Sequence, residues 1–141
     1  MFINNNFLKQ KIKNLILDHS ESAVVKEKTI LKVTLEKMIY FKIGMACVVS
    51  KKNILVGVIT DGDLRRKLLT NQKPWSALLN DDVIDHCKKK PITIRDNDNI
   101  KKAINIIRKK KVWDLPVLDR NGKFLGVLHL QNILNFMMKE K

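Results

Sequence analysis

The chain has 141 residues, 45% of them hydrophobic, which matches one ordinary domain with enough apolar residues to form a core. Lysine and arginine exceed aspartate and glutamate by 14, which favours anionic partners. No apolar run approaches the roughly 20 residues of a membrane-spanning helix, and the start lacks the pattern of a secretory signal. The two cysteines have no metal-ligand spacing, so we expect a cytoplasmic protein with reduced cysteines and no membrane association.

The first half of the chain predicts one supersecondary unit. A lead-in helix is expected over 8–17, and a short strand at 23–25 precedes an amphipathic helix. Strands at 46–50 and 55–60 flank a turn, and a last helix follows. This half therefore has the predicted order β-α-β-β-α.

The second half repeats that order. A strand at 92–94 leads to a helix that begins after the N-capping Asp and Asn residues of 96–99. Strands at 115–119 and 124–130 flank an Asn-Gly turn, which is a strong hairpin signal, and a final helix follows. The second half is therefore also predicted as β-α-β-β-α.

The two halves align without a gap when the sequence is shifted by 69 residues, which places 29–64 on 98–133. Apolar residues fall on apolar residues, and Gly57 falls on Gly126. Since neither copy has enough apolar surface to fold alone, we predict one α/β (α+β) domain whose two repeats pack sheet against sheet about a pseudo-twofold axis. The predicted bounds are about 11–70 for repeat one, 71–82 for the linker and 83–138 for repeat two, within a single module of 1–141.

The segments ACVVSKKNILVGVITDGDLRR (46–66) and LPVLDRNGKFLGVLHL (115–130) resemble a tandem pair of CBS domains, the Bateman module. The resemblance covers about 11–138. The motif TDGDLRR (60–66) is similar to sequences in the CBS pair of arabinose-5-phosphate isomerases of the sugar-isomerase type, and in CBS pairs of sugar nucleotidyltransferases. The resemblance implies a non-catalytic regulatory module that binds an adenine nucleotide or nucleotide-sugar in the cleft between the repeats. Because the chain has no room for a catalytic domain, we expect a regulator or fragment of such an isomerase rather than an enzyme.

The ligand motif of the family is Gly, apolar, any, Thr or Ser, any, any, Asp, and residues 57–63 match it fully. A carboxylate can accept hydrogen bonds from both ribose hydroxyls, and a threonine hydroxyl can donate to ribose or phosphate. The resemblance implies that the segment 87–92 faces this motif, which would bring a lysine to the phosphate. The predicted ligand-binding residues are Thr60, Asp61, Asp63, Arg65, Gly44, Met45, Lys88, Lys90, Pro91, Ile92 and Trp113.

The second copy departs from the motif. His129 stands at the threonine position, Asn132 stands at the aspartate position, and the segment expected to face them, 18–22, carries two acids. We therefore predict a weaker second site that includes Ser22 and Ala23. His129 is interpreted as structural, because no serine or cysteine nucleophile and no orienting acid lie near it in the sequence.

Several of these residues keep two interpretations. Asp61 and Asp63 are read as one ribose ligand and one helix N-cap, with a metal site as the alternative. Arg65 and Arg66 either pair with these acids or contact a phosphate or sugar-acid carboxylate. Trp113 either stacks on a base or packs in the core or a dimer interface.

No catalytic residue, no metal site and no required cofactor are predicted, and AMP, ATP or a CMP-linked sugar acid is the expected ligand. We expect a sugar-metabolism enzyme as a partner, and a homodimer through helices that carry Leu68, Leu69, Met137 and Met138. The alternative function is a basic nucleic-acid-binding protein. It is disfavoured because aromatic residues, 6% of the chain, do not interleave with the lysines.

Overall fold

The computed structural model describes residues 4–139, which form two compact units. The continuous unit is residues 21–91, and the split unit combines residues 4–20 with residues 92–139. In chain order the elements are α1 (Asn5–Lys9), β1 (Ala23–Lys26), α2 (Leu31–Phe41), β2 (Met45–Val49), β3 (Leu55–Thr60), α3 (Asp61–Thr70), α4 (Trp75–Leu79), β4 (Ile94–Arg95), α5 (Ile100–Lys110), β5 (Asp114–Leu118), β6 (Phe124–His129) and α6 (Leu130–Lys139).

The continuous unit contains a three-stranded sheet in the order β1-β2-β3. β1 pairs with β2 in parallel, and β2 pairs with β3 in antiparallel register. All five residues of β2 are buried, as expected for a central strand. α2 covers the sheet with Leu31, Thr34 and Met38, which recur at helical spacing and are buried.

The split unit repeats this arrangement with the sheet order β4-β5-β6. Its N-terminal segment contributes directly to the core, because Phe7, Ile12 and Leu15 are buried in one cluster with residues of α5, β5 and β6. The ring of Phe7 stacks on that of Phe136 with centroids 5.7 Å apart. The split unit is therefore completed by residues that precede the first strand of the first repeat.

The last strand of each sheet also forms a short backbone pairing with a segment from the other repeat. In the continuous unit, the Lys88 N–H donates to the Val58 carbonyl at 2.7 Å, and the Val58 N–H donates to the Lys88 carbonyl at 3.0 Å. In the split unit, Leu17 and Val127 exchange the same two bonds at 2.8 and 2.9 Å. The segment that precedes the first strand of one repeat thus pairs with the last strand of the other repeat.

Two glycines make these pairings possible. A Cβ atom at Gly57 would lie 2.5 Å from Cys87 Sγ and 2.9 Å from the Lys88 carbonyl oxygen. At Gly126, where φ is +156°, a Cβ atom would collide with the Leu17 carbonyl oxygen. Only glycine fits at either position without displacing the paired segment.

The structure confirms the mixed α/β fold and the order β-α-β-β-α in both repeats. The lead-in helix predicted over 8–17 is wrong. Instead, α1 ends at Lys9, and a 3₁₀ helix spans Ile12–Leu15 after an extended Lys11. The break occurs because the Ile12 N–H donates to the Asp98 carbonyl at 3.0 Å, a tertiary contact that helical periodicity does not report. Residues 71–82, predicted as a linker, contain α4 and the buried Leu78.

Candidate ligand-binding site

The predicted ligand motif lies at the junction of β3 and α3, where Thr60 ends the strand and Asp61 begins the helix. Thr60 Oγ1 accepts a hydrogen bond from the Asp63 N–H at 3.2 Å, and Asp63 Oδ2 accepts one from the Thr60 N–H at 3.0 Å. This reciprocal capping box satisfies backbone donors that the helix start would otherwise leave unpaired. Both predicted ribose ligands therefore also stabilise the start of α3.

Asp63 is also the centre of an ion pair. Its Oδ1 accepts a hydrogen bond from Arg66 Nη2 at 2.7 Å. Burial raises the pKa of Asp63, but the hydrogen bonds from Arg66 and Thr60 outweigh this effect and hold the pKa below its usual value. Arg66 thus takes up the pairing that the sequence left open for both arginines. Arg65 is exposed and has no ion pair within residues 4–139.

Gly44 and Met45 join the motif through the backbone. The Asp61 N–H donates to the Gly44 carbonyl at 3.0 Å, and Met45 lies opposite Thr60 in the register of β2 and β3. A Cβ atom at Gly44 would approach Asp61 Oδ2 to 3.0 Å, so the absence of a side chain leaves room for that carboxylate. Met45 is buried, which leaves its side chain in the core.

The lysine segment reaches the same strand. Lys88 pairs with Val58, two residues before Thr60, and the side chains of Lys88, Lys89 and Lys90 are exposed. The neighbouring Cys87 is half-buried, and burial raises the pKa of its thiol, which disfavours the reactive thiolate.

The predicted ligand residues therefore fall into two groups. Those that the structure places in the continuous unit are Gly44, Met45, Thr60, Asp61, Asp63, Arg65, Lys88, Lys90 and Pro91, whereas Ile92 and Trp113 belong to the split unit.

The equivalent junction in the split unit has the same backbone and different side chains. The Leu130 N–H donates to the Trp113 carbonyl at 2.9 Å, which repeats the bond between Asp61 and Gly44. His129 Nδ1 donates to Asp114 Oδ1 at 2.5 Å, and the Asp114 side chain is only 7% exposed. The fold gives His129 an acidic partner that its sequence neighbours do not provide. Asp114 lies directly opposite it in the β5–β6 register, and the 69-residue shift of the Met45–Thr60 pair would have found it.

The other residues of the predicted weaker site are dispersed. Asn132 Nδ2 donates to the Leu15 carbonyl at 3.4 Å, a long bond that ties α6 to the N-terminal segment. Ser22 and Ala23 are buried and belong to the continuous unit. The Asp18 carboxylate accepts bonds from the hydroxyl and the N–H of Ser20, and these lower the pKa of Asp18.

Residues 4–139 contain neither a metal-binding cluster nor a helix that could span a membrane. Within that range, no cluster of three or more His, Cys, Asp or Glu side chains is arranged to hold a metal ion. In the same residues, no helix combines the length and the apolar composition needed to cross a membrane.

Comparison with known families decides what this scaffold is. The profile described as "CBS domain" matches residues 13–70 and again residues 82–139. The chain belongs to the CBS-domain family. The two matches make it a tandem CBS pair, as the repeated motif predicted.

Curated relatives share only part of their length with this CBS pair. An uncharacterized protein of Helicobacter pylori is 32% identical over 92% of the chain, which spans 38% of that relative. An arabinose 5-phosphate isomerase of Salmonella typhi is 31% identical over 64% of the chain, which spans 26% of that enzyme. The chain thus spans less than two fifths of these curated relatives.

Solved structures of other CBS pairs match nearly the whole chain. CBSX2 in complex with AMP is 27% identical, has a TM-score of 0.78, and is matched over 92% of this chain and 96% of its own. A CBS pair in complex with 5′-methylthioadenosine and S-adenosyl-L-methionine is 16% identical, with a TM-score of 0.75, and covers 94% of this chain and 98% of its own. The second likeness shows the shared fold.

Proposed function

We propose that this CBS pair is a non-catalytic regulatory module that binds an adenine nucleotide at the β3–α3 junction. Asp63 would accept from the ribose hydroxyls, Thr60 would support them, and a lysine from 88–90 would contact the phosphate. The carrying observation is the pairing of Lys88 with Val58, because it brings the lysine segment to the strand that ends in the ribose motif.

The chemistry of the junction supports this role. Asp63 is held ionised by Arg66 and Thr60, so its carboxylate acts only as an acceptor, as a ribose diol requires. The three exposed lysines supply the positive charge that a phosphate needs. The AMP complex of CBSX2, at 27% identity, supports adenine nucleotides as the ligand class.

The sugar-metabolism link is a finer part of the proposal. The likeness to the isomerase of Salmonella typhi supports a module that regulates a sugar-phosphate isomerase or a sugar-nucleotide pathway. ATP and CMP-linked sugar acids are therefore included beside AMP in a thermal-shift screen. If a CMP-linked sugar acid raises the melting temperature more than AMP does, the ligand class assigned to the site would be sugar nucleotides rather than adenine nucleotides.

The decisive experiment compares matched variants of the two junctions. A charge-assisted hydrogen bond of this kind contributes about 1.5–3 kcal/mol, or about 10- to 150-fold in affinity. Asp63→Ala should therefore weaken AMP binding at least about tenfold in calorimetry. Asn132→Ala should change it little. Normal AMP binding by Asp63→Ala, together with loss of binding by Asn132→Ala, would show that the ligand occupies the other junction.

We also propose that the module forms a homodimer through α3 and α6. Leu68, Leu69 and Met138 are 49%, 84% and 53% exposed, which is unusual for such large apolar side chains. Met137, which the sequence also predicted for the interface, is not part of this exposed surface, because it is half-buried against the core of the split unit. Light scattering should report twice the monomer mass, and Leu69→Lys should reduce it to the monomer mass.

Nucleic-acid binding is the second candidate function, and one observation favours it. The exposed side of α5 carries a run of cations, namely Lys101, Lys102, Arg108, Lys109 and Lys110. Binding through this helix would weaken steeply with added salt and would not discriminate among mononucleotides. A gel-shift titration at two salt concentrations, with excess AMP as competitor, separates this function from the proposed one.

A further inference from the structure

Arg66 lies on the carboxylate that the proposed function assigns to the ribose. Its Nη2 is 2.7 Å from Asp63 Oδ1, and its Nη1 and Nη2 lie 3.4 and 3.5 Å from the position that a Gly62 Cβ atom would occupy. The guanidinium therefore covers the first turn of α3, beside Thr60. The Arg66 side chain is 65% exposed and that of Asp63 is 23% exposed, so a solvated cation lies over a largely covered anion.

This geometry sets a condition for ribose binding. Asp63 Oδ2 is engaged by the Thr60 N–H as part of the capping box, whereas Oδ1 is engaged by Arg66. Each carboxylate oxygen has two acceptor positions, so a ribose diol must share Oδ1 with the guanidinium or displace it. Arg66 already neutralises this carboxylate, so a hydroxyl that shares Oδ1 with the guanidinium gains less than it would from an unpaired carboxylate.

A phosphorylated ligand changes that balance. Phosphate accepts two parallel hydrogen bonds from a guanidinium, so it offers Arg66 a partner at least as good as Asp63. Arg66 can then leave Oδ1 to the ribose and contact the phosphate without losing an ionic partner.

We propose that Arg66 is a specificity-determining residue that exchanges Asp63 for the phosphate of the ligand, so that the site accepts nucleotides and rejects the corresponding nucleosides. This inference rests on the proposed function. It assigns the role to Arg66 rather than to Arg65. Arg66 lies three residues after Asp63, on the same helix face, whereas Arg65 is rotated away by about 100°.

The test measures discrimination between AMP and adenosine, with Arg65→Ala as the matched control for Arg66→Ala. Calorimetry at fixed salt gives the ratio of the two affinities for each protein. The unmodified protein should bind AMP far more tightly than adenosine. Arg66→Ala should lower the ratio at least about tenfold, because it removes one charge-assisted bond from the AMP complex and frees Asp63 for adenosine. Arg65→Ala should leave the ratio unchanged within about twofold, as expected for an exposed side chain that makes no ion pair with any residue of 4–139.

The outcomes are separable. An unchanged ratio in Arg66→Ala, or an equal loss of AMP and adenosine affinity, would overturn the inference and leave the proposed function standing. Failure of the unmodified protein to bind AMP would overturn both. Arg66→Lys should recover part of the ratio, because it retains the charge and loses the bidentate geometry. Thermal unfolding of each variant confirms that the fold is intact.

Discussion

The β3–α3 and β6–α6 junctions share a backbone hydrogen bond but differ in their side chains. Asp61 bonds to Gly44 at the first and Leu130 bonds to Trp113 at the second, at 3.0 and 2.9 Å. Around these bonds, the first junction carries a capping carboxylate with an arginine, and the second carries a histidine with a buried acid. Backbone pairing thus sets the shape of each junction, while a few side chains at the strand end set its chemistry.

The helices that cover the two sheets differ in the same way. Ile39 and Tyr40 of α2 are 77% and 80% exposed, and the 69-residue shift places Arg108 and Lys109 of α5 at their positions. One repeat therefore presents apolar side chains where the other presents cations. Such divergence allows one scaffold to offer two different surfaces.

The largest expected effect concerns the glycines at the extra strand pairing. Gly126→Ala should cost about 3 kcal/mol or more, because the new Cβ atom meets the backbone of Leu17. Gly57→Ala should cost about 1–3 kcal/mol, since the first obstacle is the side chain of Cys87. Urea unfolding measures both, and a larger loss at Gly57 than at Gly126 would contradict the order that the contacts at the two glycines predict. Gly122→Ala, at a turn with φ +83° and open space, is the control for backbone strain alone.

The histidine pair is the next largest difference between the junctions. Asp114→Ala should cost about 2 kcal/mol, because it leaves His129 without its charged partner in a half-buried position. Asp114→Asn should recover part of the loss, since the amide oxygen still accepts from the ring. A cost below about 0.5 kcal/mol for Asp114→Ala, the level of an ordinary surface change, would mean that the pair adds no stability.

The capping box distinguishes Asp63 from Asn132 in its dependence on pH. Asp63→Asn should lower stability by about 1 kcal/mol at neutral pH. The folded pKa of Asp63 is lowered, so its ionised form stabilises the fold above the unfolded pKa of about 3.9, and that contribution is lost as pH falls through the folded pKa. The difference between Asp63→Asn and the unmodified protein should therefore shrink in acid. Asn132→Ala should show no such trend in denaturant titrations across pH.

The smallest effect tests a feature that both repeats share. Lys42 and Lys111 end α2 and α5 in the left-handed conformation, both with φ 54°. Lys42→Gly and Lys111→Gly should each raise the free energy of unfolding by about 0.5–1 kcal/mol in urea titrations, because glycine avoids the Cβ strain of the left-handed conformation at a helix C-terminus. Unequal gains would show that the two helix ends differ in ways that their backbones do not reveal.

Hydrophobic periodicity and the internal repeat predicted most of the fold, because strands and helices depend on local sequence patterns and these patterns occur in both repeats. They did not predict the 3₁₀ helix at Ile12–Leu15, which depends on a bond to Asp98 far along the chain. At the site, the motif identified Thr60 and Asp63, but the pairing of Arg66 rather than Arg65 depends on side-chain geometry. Asp114 was missed because its partner lies across a sheet and not beside it in sequence.

The insertion of the continuous unit between two segments of the split unit has a consequence for synthesis. As the chain leaves the ribosome from its N-terminus, residues 21–91 emerge together, so the continuous unit has all its parts while the second repeat is still being made. Leu17 must wait for Val127, 110 residues later, before its strand pairing can close. Until β5 and β6 have been synthesised, Phe7, Ile12 and Leu15 have no core to enter, so the nascent segment 4–20 stays unpacked while residues 21–91 can already fold.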